Sequence, residues 1–203
     1  MAIKFQYNKT ALQALDKQLK VRERALPTLK NKESALRVEV KRAKDKAAEL
    51  GKEYDSQIAS YENMSRLWGE FDQSLIRIKD VELSSKKIAG VFTPVLEKII
   101  FEANTDNLFN QPIWFPDGMS IIKKIAEVAI EREVFLKKMN LLDFARKKTT
   151  QKVNLYEKVQ IPGFQDAIRK IKRFLEDEDN LSKAAQKIVK DRQEKQRQEE
   201  AEV

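Results

Sequence analysis

The chain has 203 residues, of which 35% are charged and 41% hydrophobic, with only five Gly and five Pro. So few turn-forming residues, and apolar residues spread thinly along the chain, favour long helices with a narrow buried seam over a compact globule of many elements. Cysteine and histidine are absent. This excludes a disulfide framework, a thiolate metal site and the usual general base near neutral pH.

The formal net charge is +8, and it is unevenly distributed. Residues 1–50 carry a net charge of +7, residues 51–118 of −4 and residues 119–203 of +5. A basic chain is compatible with nucleic acid, an anionic membrane surface or an acidic protein partner. No stretch approaches the roughly 20 apolar residues that span a bilayer, so we expect a cytoplasmic protein with no direct membrane insertion.

Residues 1–80 predict one long coiled-coil helix. Steps of three and four residues that alternate from Leu12 to Ile78 meet an apolar residue at seventeen of twenty positions, which is typical of a seam that faces a partner helix. The seam contains Leu12, Leu15, Leu19, Arg22, Leu26, Leu29, Glu33, Leu36, Val40, Ala43, Ala47, Leu50, Tyr54, Gln57, Tyr61, Met64, Trp68, Phe71, Leu75 and Ile78. Because proline lacks an N–H, we expect a kink or short break at Pro27.

Residues 81–119 change in character and predict a small β-hairpin followed by a loop. β-Branched and aromatic residues are frequent between Val81 and Phe101, and Gly90 and Thr93-Pro94 provide turn chemistry. The loop from Asn104 to Gly118 returns the chain, and we expect Trp114 and Phe115 to pack on the end of the coil.

A second long helix is predicted over residues 120–189, with Ser120 as its N-cap and a bend at Pro162-Gly163. Residues 190–203 are charged and almost free of large apolar residues, so we expect a disordered tail. The predicted fold class is all-α dominated: a long antiparallel two-helix coiled coil, with a small β-hairpin in its middle segment, that forms one elongated domain.

Three stretches resemble the D subunit of the V/A-type (vacuolar/archaeal-type) rotary ATPases. They are residues 8–36, with spaced leucines in a basic helix; residues 86–97, with the Gly-Val hairpin; and residues 152–169. The third is the most specific, because it matches a Val-Asn-x-x-Glu-x-x-x-Ile-Pro pattern position by position. The matching residues are Val153, Asn154, Glu157, Ile161 and Pro162.

The resemblance implies a central-stalk rotor subunit that transmits torque and is not itself an enzyme. It implies contacts with the catalytic A and B subunits, with the F subunit, and with the C/d subunit above the membrane ring, so that the chain is peripheral to the membrane. The implied candidates for contact with the A/B hexamer are Lys17, Lys20, Arg22, Arg24, Val153, Asn154, Glu157, Ile161 and Pro162. Candidates in the hairpin, for the F subunit or a regulatory contact, are Ile88, Gly90, Val91 and Phe92.

Two alternatives from other classes are a cytosolic coiled-coil scaffold and a basic nucleic-acid-binding protein. The second lacks any visible helix-turn-helix or RNA-binding motif. An enzyme built on carboxylates such as Asp143 and Glu157 has no convergent partner group. The acidic run from Glu176 to Asp179 is interpreted as solvated charge, because four successive helical residues cannot converge on one ion. No Gly-rich phosphate loop is present, and we expect no cofactor.

Overall fold

The computed structural model of the chain describes residues 4–104 and 112–201. In chain order it contains α1 (Lys9–Ser60), α2 (Ser65–Trp68), β1 (Ile76–Ile88), β2 (Val91–Ala103), α3 (Phe115–Leu155), a π-helical turn (Tyr156–Gln160) and α4 (Ile161–Ala201). Short 3₁₀ turns lie at Glu62–Met64 and Gln73–Leu75. The helix-dominated fold class with a central two-stranded hairpin is confirmed. Residues 105–111 of the predicted loop and 202–203 of the predicted tail lie outside the described residues.

The chain divides into two compact units, one of residues 1–30 with 150–203 and one of residues 31–149. In the first unit, α1 begins behind an Asn8 N-cap, whose side-chain oxygen accepts a hydrogen bond of 2.7 Å from the amide of Ala11. The ring of Tyr7 packs on Phe174, and Lys30 contacts Glu157. From Tyr7 to Lys30 the residue numbers rise, while those of the residues that they contact fall from Phe174 to Glu157, so the helices of this unit run antiparallel. Its core contains Leu15, Leu19, Phe164, Ala167, Ile168 and Ile171.

In the second unit, α1 and α3 are also antiparallel. The Cα of Gly51 faces the Arg132 side chain, and Ile58 and Ile125 line one cavity. Near the C-terminal end of α2 the core becomes aromatic: Phe71, Leu75, Ile76, Phe115 and Met119 are buried, and Trp68 and Trp114 pack against them. Trp114 and Phe115 therefore pack as predicted, within the second unit.

The predicted seam is buried or half-buried at every position from Leu12 to Leu75. The last position, Ile78, is 46% exposed because it lies on β1 and not on a helix.

Helix α1 continues unbroken through Pro27, so the expected break is wrong. A helix of 52 residues held by a seam on both sides of the proline tolerates one lost main-chain hydrogen bond.

β1 and β2 pair antiparallel along 13 residues each, with Ile88 opposite Val91. The two residues between them, Ala89 and Gly90, have φ angles of +48° and +83°. Two positive φ values match the turn whose twist suits a two-residue hairpin. The first strand begins at Ile76, five residues before the predicted boundary at residue 81.

α3 starts at Phe115, so Ser120 lies inside the helix and is not its N-cap. Pro116 lies in the first turn of α3, where a missing N–H costs little.

At the other end of the chain, the sequence predicts a disordered tail from residue 190. In the structure α4 continues through Ala201, and every side chain from residue 176 to residue 198 is exposed.

Candidate functional site

The family-like pattern around Ile161-Pro162 lies on a widened helical turn. The amide of Ile161 donates to the carbonyl oxygen of Tyr156, a bond that spans five residues where an α-helix spans four. Pro162 follows directly, and a proline cannot donate to the turn before it. The predicted bend at Pro162-Gly163 thus corresponds to a local departure from α geometry that begins six residues before the proline.

Two cations of α1 contact this turn. Arg22 is half-buried: its Nε donates a hydrogen bond of 2.6 Å to Oε1 of Gln160, and its guanidinium carbon lies 4.5 Å from the centroid of the Phe164 ring. Lys30 Nζ lies 2.6 Å from Oε1 of Glu157, in a pair whose side chains remain nearly half exposed. The Arg22 side chain therefore lies between the two helices, and Glu157 is linked to α1 through Lys30.

The other residues of the pattern divide between core and surface. Val153 is buried, and Ile161 packs on the core of its unit. Asn154 and Pro162 are exposed. The family-like pattern therefore contributes to holding this helix pair together, and three of its residues are exposed: Asn154, Pro162 and the paired Glu157.

The basic face of α1 is formed by Lys17, Lys20 and Arg24, all exposed. Lys20 is paired with Asp16 at 2.7 Å, one turn earlier on the same helix. Exposed pairs of this kind contribute little to stability, so the charges of this face remain accessible to a partner.

The hairpin turn presents a second candidate surface. Phe92 is 66% exposed, and the Nζ of Lys87 lies 5.5 Å from its ring centroid. Ile88 and Val91 are half-buried, and Gly90 is exposed. Thr93, which follows Phe92, is buried. Its hydroxyl donates a hydrogen bond to the carbonyl oxygen of Lys86, which fixes the strand pairing behind the turn.

A third cluster lies on α3. Asp143 is held between Lys147 Nζ at 3.0 Å and the guanidinium of Arg146, whose Nη2 lies at 2.8 Å. Hydrogen bonds first from Lys147 and then from Arg146 lower the pKa of the Asp143 carboxyl, because both favour its charged form. Lys148, the third cation of this run, lies over the ring of Phe144.

Within residues 4–104 and 112–201, no group of three or more acidic side chains is placed to hold a metal ion. In the same ranges no helix combines the length and the apolarity that crossing a bilayer requires. A cavity of about 580 Å³ lies beside Ile58, Trp68 and Ile125 and is open to solvent. Its lining also includes the carboxylates of Asp55 and Glu62 and the hydroxyl of Tyr61.

Two local features were not predicted from the sequence. The π turn leaves a trace in the spacing of buried positions, which contains two successive steps of four residues from Tyr156 to Gln160 and from Gln160 to Phe164. An alternation of three and four would have continued from Gln160 to Gly163, which is half-buried, whereas the core position is Phe164, which is buried. The positive φ at Ala89 left no trace, because alanine is not a typical residue for that conformation.

Antiparallel long helices in both units and a two-stranded hairpin in the second define a helix-dominated class of protein with a central β-hairpin. The chain belongs to the ATP synthase D-subunit family, whose pattern it matches over residues 11–191.

Curated relatives agree with this membership. The V-type ATP synthase D subunit of Borreliella burgdorferi is 31% identical over 189 residues, which covers 92% of this chain and 94% of the relative. The V-type ATP synthase D subunits of Chlamydia pneumoniae and Chlamydia trachomatis serovar L2 are 26% and 27% identical. Those alignments cover 87% and 94% of this chain, and 87% and 96% of the two relatives.

Proposed function

We propose that this chain is the non-catalytic central-stalk rotor subunit of a V/A-type rotary ATPase. In this role it transmits torque between the catalytic A/B hexamer and ion translocation in the membrane ring. One observation carries the proposal. In this member of the family, α4 leaves the antiparallel helix pair and continues beyond its last core residue, and every side chain from residue 176 to residue 198 is exposed. A helix with such an exposed extension suits a shaft that turns inside other subunits.

The partners in this proposal are the A and B subunits, the F subunit, and the C/d subunit above the membrane ring, which keeps the chain peripheral to the membrane on its cytoplasmic side. The basic face of Lys17, Lys20 and Arg24 supports contact with the hexamer, because exposed like charges attract an acidic lining over about one Debye length, ~8 Å at physiological salt. Such attraction is screened, so it holds the shaft without a fixed set of bonds. Asn154 and Pro162, exposed in the family-like pattern, are further candidates for hexamer contact.

The hairpin turn supports a contact with the F subunit or a regulatory partner. Phe92 presents most of a large apolar ring to solvent beside Lys87, and a mostly exposed aromatic residue at a turn is a suitable anchor for a partner. Ile88, Gly90 and Val91 shape the turn that presents it.

The first experiment is co-expression of the full chain with the A, B and F subunits of the same organism, followed by size-exclusion chromatography and an ATPase assay. The proposal expects a stoichiometric complex whose ATP hydrolysis depends on this chain. Monomeric elution, with no effect on the hexamer, would favour a cytosolic scaffold. A DNA or RNA affinity that falls steeply with salt would favour a nucleic-acid-binding protein.

Two variants refine the contacts. Replacement of Lys17 and Arg24 by Gln is expected to weaken assembly with A/B at moderate salt, whereas replacement of the exposed Lys41 and Lys44 of the same helix is the matched control. Phe92→Ser is expected to reduce co-elution with the F subunit, and Leu83→Ser, also on the hairpin and 49% exposed, is its control. Equal losses for variant and control would argue against the surface concerned.

A further inference from the structure

One seam position of the first unit is chemically unlike its neighbours. The seam positions of α1 from residue 12 to residue 29 hold five leucines and one arginine, Arg22. A row of identical leucines packs almost equally well if one helix moves along the other by a seam step, because the same side chains then enter equivalent positions. The leucines of α1 alone therefore leave the axial register weakly determined, and any register information must come from Arg22 or from the unlike side chains of the paired helix, Phe164, Ala167, Ile168 and Ile171.

Arg22 makes contacts that exist in one register only. Its Nε donates to Gln160 Oε1 at 2.6 Å, and its guanidinium lies 4.5 Å from the Phe164 centroid, both on the paired helix. Its Nη1 also donates to the Gln18 carbonyl at 3.0 Å, but that bond lies within α1 and does not depend on register. Gln160 closes the π turn and Phe164 follows one turn later. A displacement of one helical turn, about 5 Å, would remove the acceptor and leave a half-buried guanidinium facing apolar side chains.

The π turn is the other half of this arrangement. It accommodates the extra residue between Val153 and Phe164, so that Tyr156, Gln160 and Phe164 all remain on the buried or half-buried face. With that residue absorbed, the side-chain amide of Gln160 and the ring of Phe164 are presented to the same side chain of α1.

We propose that Arg22 and the π turn form a register clamp, which fixes the axial position of α1 against the paired helix of the first unit at some cost in stability. A polar residue at a single seam position is known to specify coiled-coil register in this way. The proposal concerns the chain alone and does not rest on the rotor function, although a shaft under torque would benefit from helices that cannot slip.

The test is a distance measurement in the full-length chain. Because the chain has no cysteine, Gln13→Cys and Lys152→Cys, both at exposed positions, would be the only sites for spin labels. They are far apart along the axis of the helix pair, so an axial shift changes their distance by nearly its full amount. Pulsed electron paramagnetic resonance is expected to give one narrow distance in the parent. Arg22→Leu is expected to broaden it or add a population displaced by about 5 Å, while the melting temperature stays the same or rises.

Arg24→Leu is the matched control, since it removes the same charge from an exposed position two residues away and should leave one distance. If Arg22→Leu retains a single parental distance, the register is set elsewhere and the proposal is overturned. If that variant does not fold, Gln160→Leu decides in its place: a broadened distance supports the clamp, and an unchanged one overturns it.

Discussion

Arg77 and Glu102 are direct partners on β1 and β2, and the Nε of the arginine donates a hydrogen bond of 2.7 Å to Oε2 of the glutamate. Nη2 of the same guanidinium lies 2.6 Å from the same oxygen, near the end of the hairpin opposite its turn. The hydrogen bond and charge of Arg77 lower the pKa of the Glu102 carboxyl.

We predict that the Arg77–Glu102 pair makes the open end of the hairpin sensitive to acid. Because the folded pKa lies below the ordinary value of 4.5, the contribution of this pair to stability is complete above that value and is lost as pH falls through the folded pKa. The amide protection factors of residues 76–78, which compare exchange with its intrinsic rate at each pH, should therefore fall in acid, and Glu102→Gln should remove that dependence. Glu97→Gln, on the same strand, is the control. If amide protection in Glu102→Gln keeps the same dependence on pH as in the parent chain, the prediction is contradicted.

Asp143 provides a prediction about two cations that share one carboxylate. Arg146→Gln and Lys147→Gln should each raise the pKa of the Asp143 carboxyl toward its ordinary value, and the double substitution should raise it further. Lys148→Gln should leave it unchanged, because that lysine lies over Phe144. Carboxyl titration by NMR measures all four, and an equal effect of Lys148→Gln would mean that general charge and not direct contact sets the pKa.

Gly118 is predicted to be essential to the aromatic core of the second unit. A Cβ at this position would lie 2.9 Å from Cζ3 of Trp114 and 3.1 Å from Cε2 of Phe71. Gly118→Val should lower the free energy of unfolding by about 2–3 kcal/mol, since an overpacked core costs more than the helix propensity gained. Urea unfolding measures the change.

The control for this prediction is Gly69→Val. Gly69 is exposed, has a helical φ of −67°, and its Cβ would be in ordinary contact with the Arg66 carbonyl at 3.4 Å. We expect a change within about 0.5 kcal/mol there. Similar losses at both glycines would show that the aromatic packing is not the cause.

The hairpin turn should gain stability from a single substitution. Ala89 has a φ of +48°, which costs an alanine about 1 kcal/mol and which asparagine tolerates better. Ala89→Asn should therefore stabilise the protein by about 0.5–1 kcal/mol, and Gly90→Ala, at a φ of +83°, should destabilise it by a similar amount. Chemical denaturation measures the free energy of unfolding of both variants. If both substitutions change it in the same direction, the conformation of the turn is not their common cause.

The helix pairing was largely predictable because its seam repeats. Each of the seam positions from Leu12 to Leu75 is buried or half-buried, and a sustained repeat averages over single exceptions such as Glu33. Sequence periodicity misses the beginning of β1 for the same reason: Ile78 continues the helical step of three residues from Leu75, although it lies on β1, which begins at Ile76.

The candidate surfaces were less predictable than the fold. A basic residue in a sequence carries no sign of its neighbour in space, so the sequence places Arg22 with Lys17 and Arg24, whereas in the structure it contacts Gln160 and Phe164. The start of α3 shows the same limit. Pro116 and Gly118 indicate a turn by local propensity, but Gly118 is required there by the Trp114 and Phe71 rings.

The exposed part of α4 has a thermodynamic consequence. From residue 176 to residue 198 no side chain is buried, so this stretch of helix draws its stability from its own hydrogen bonds and side-chain pairs alone. Its opening free energy should approach zero while that of Ile171, fully buried, approaches the global value. Heating should thus remove helical signal gradually before the cooperative transition. Trypsin should cleave first after the basic residues of this stretch, which are Lys183, Lys187, Lys190, Arg192, Lys195 and Arg197. A partner that encloses the helix would be detected as protection of these bonds.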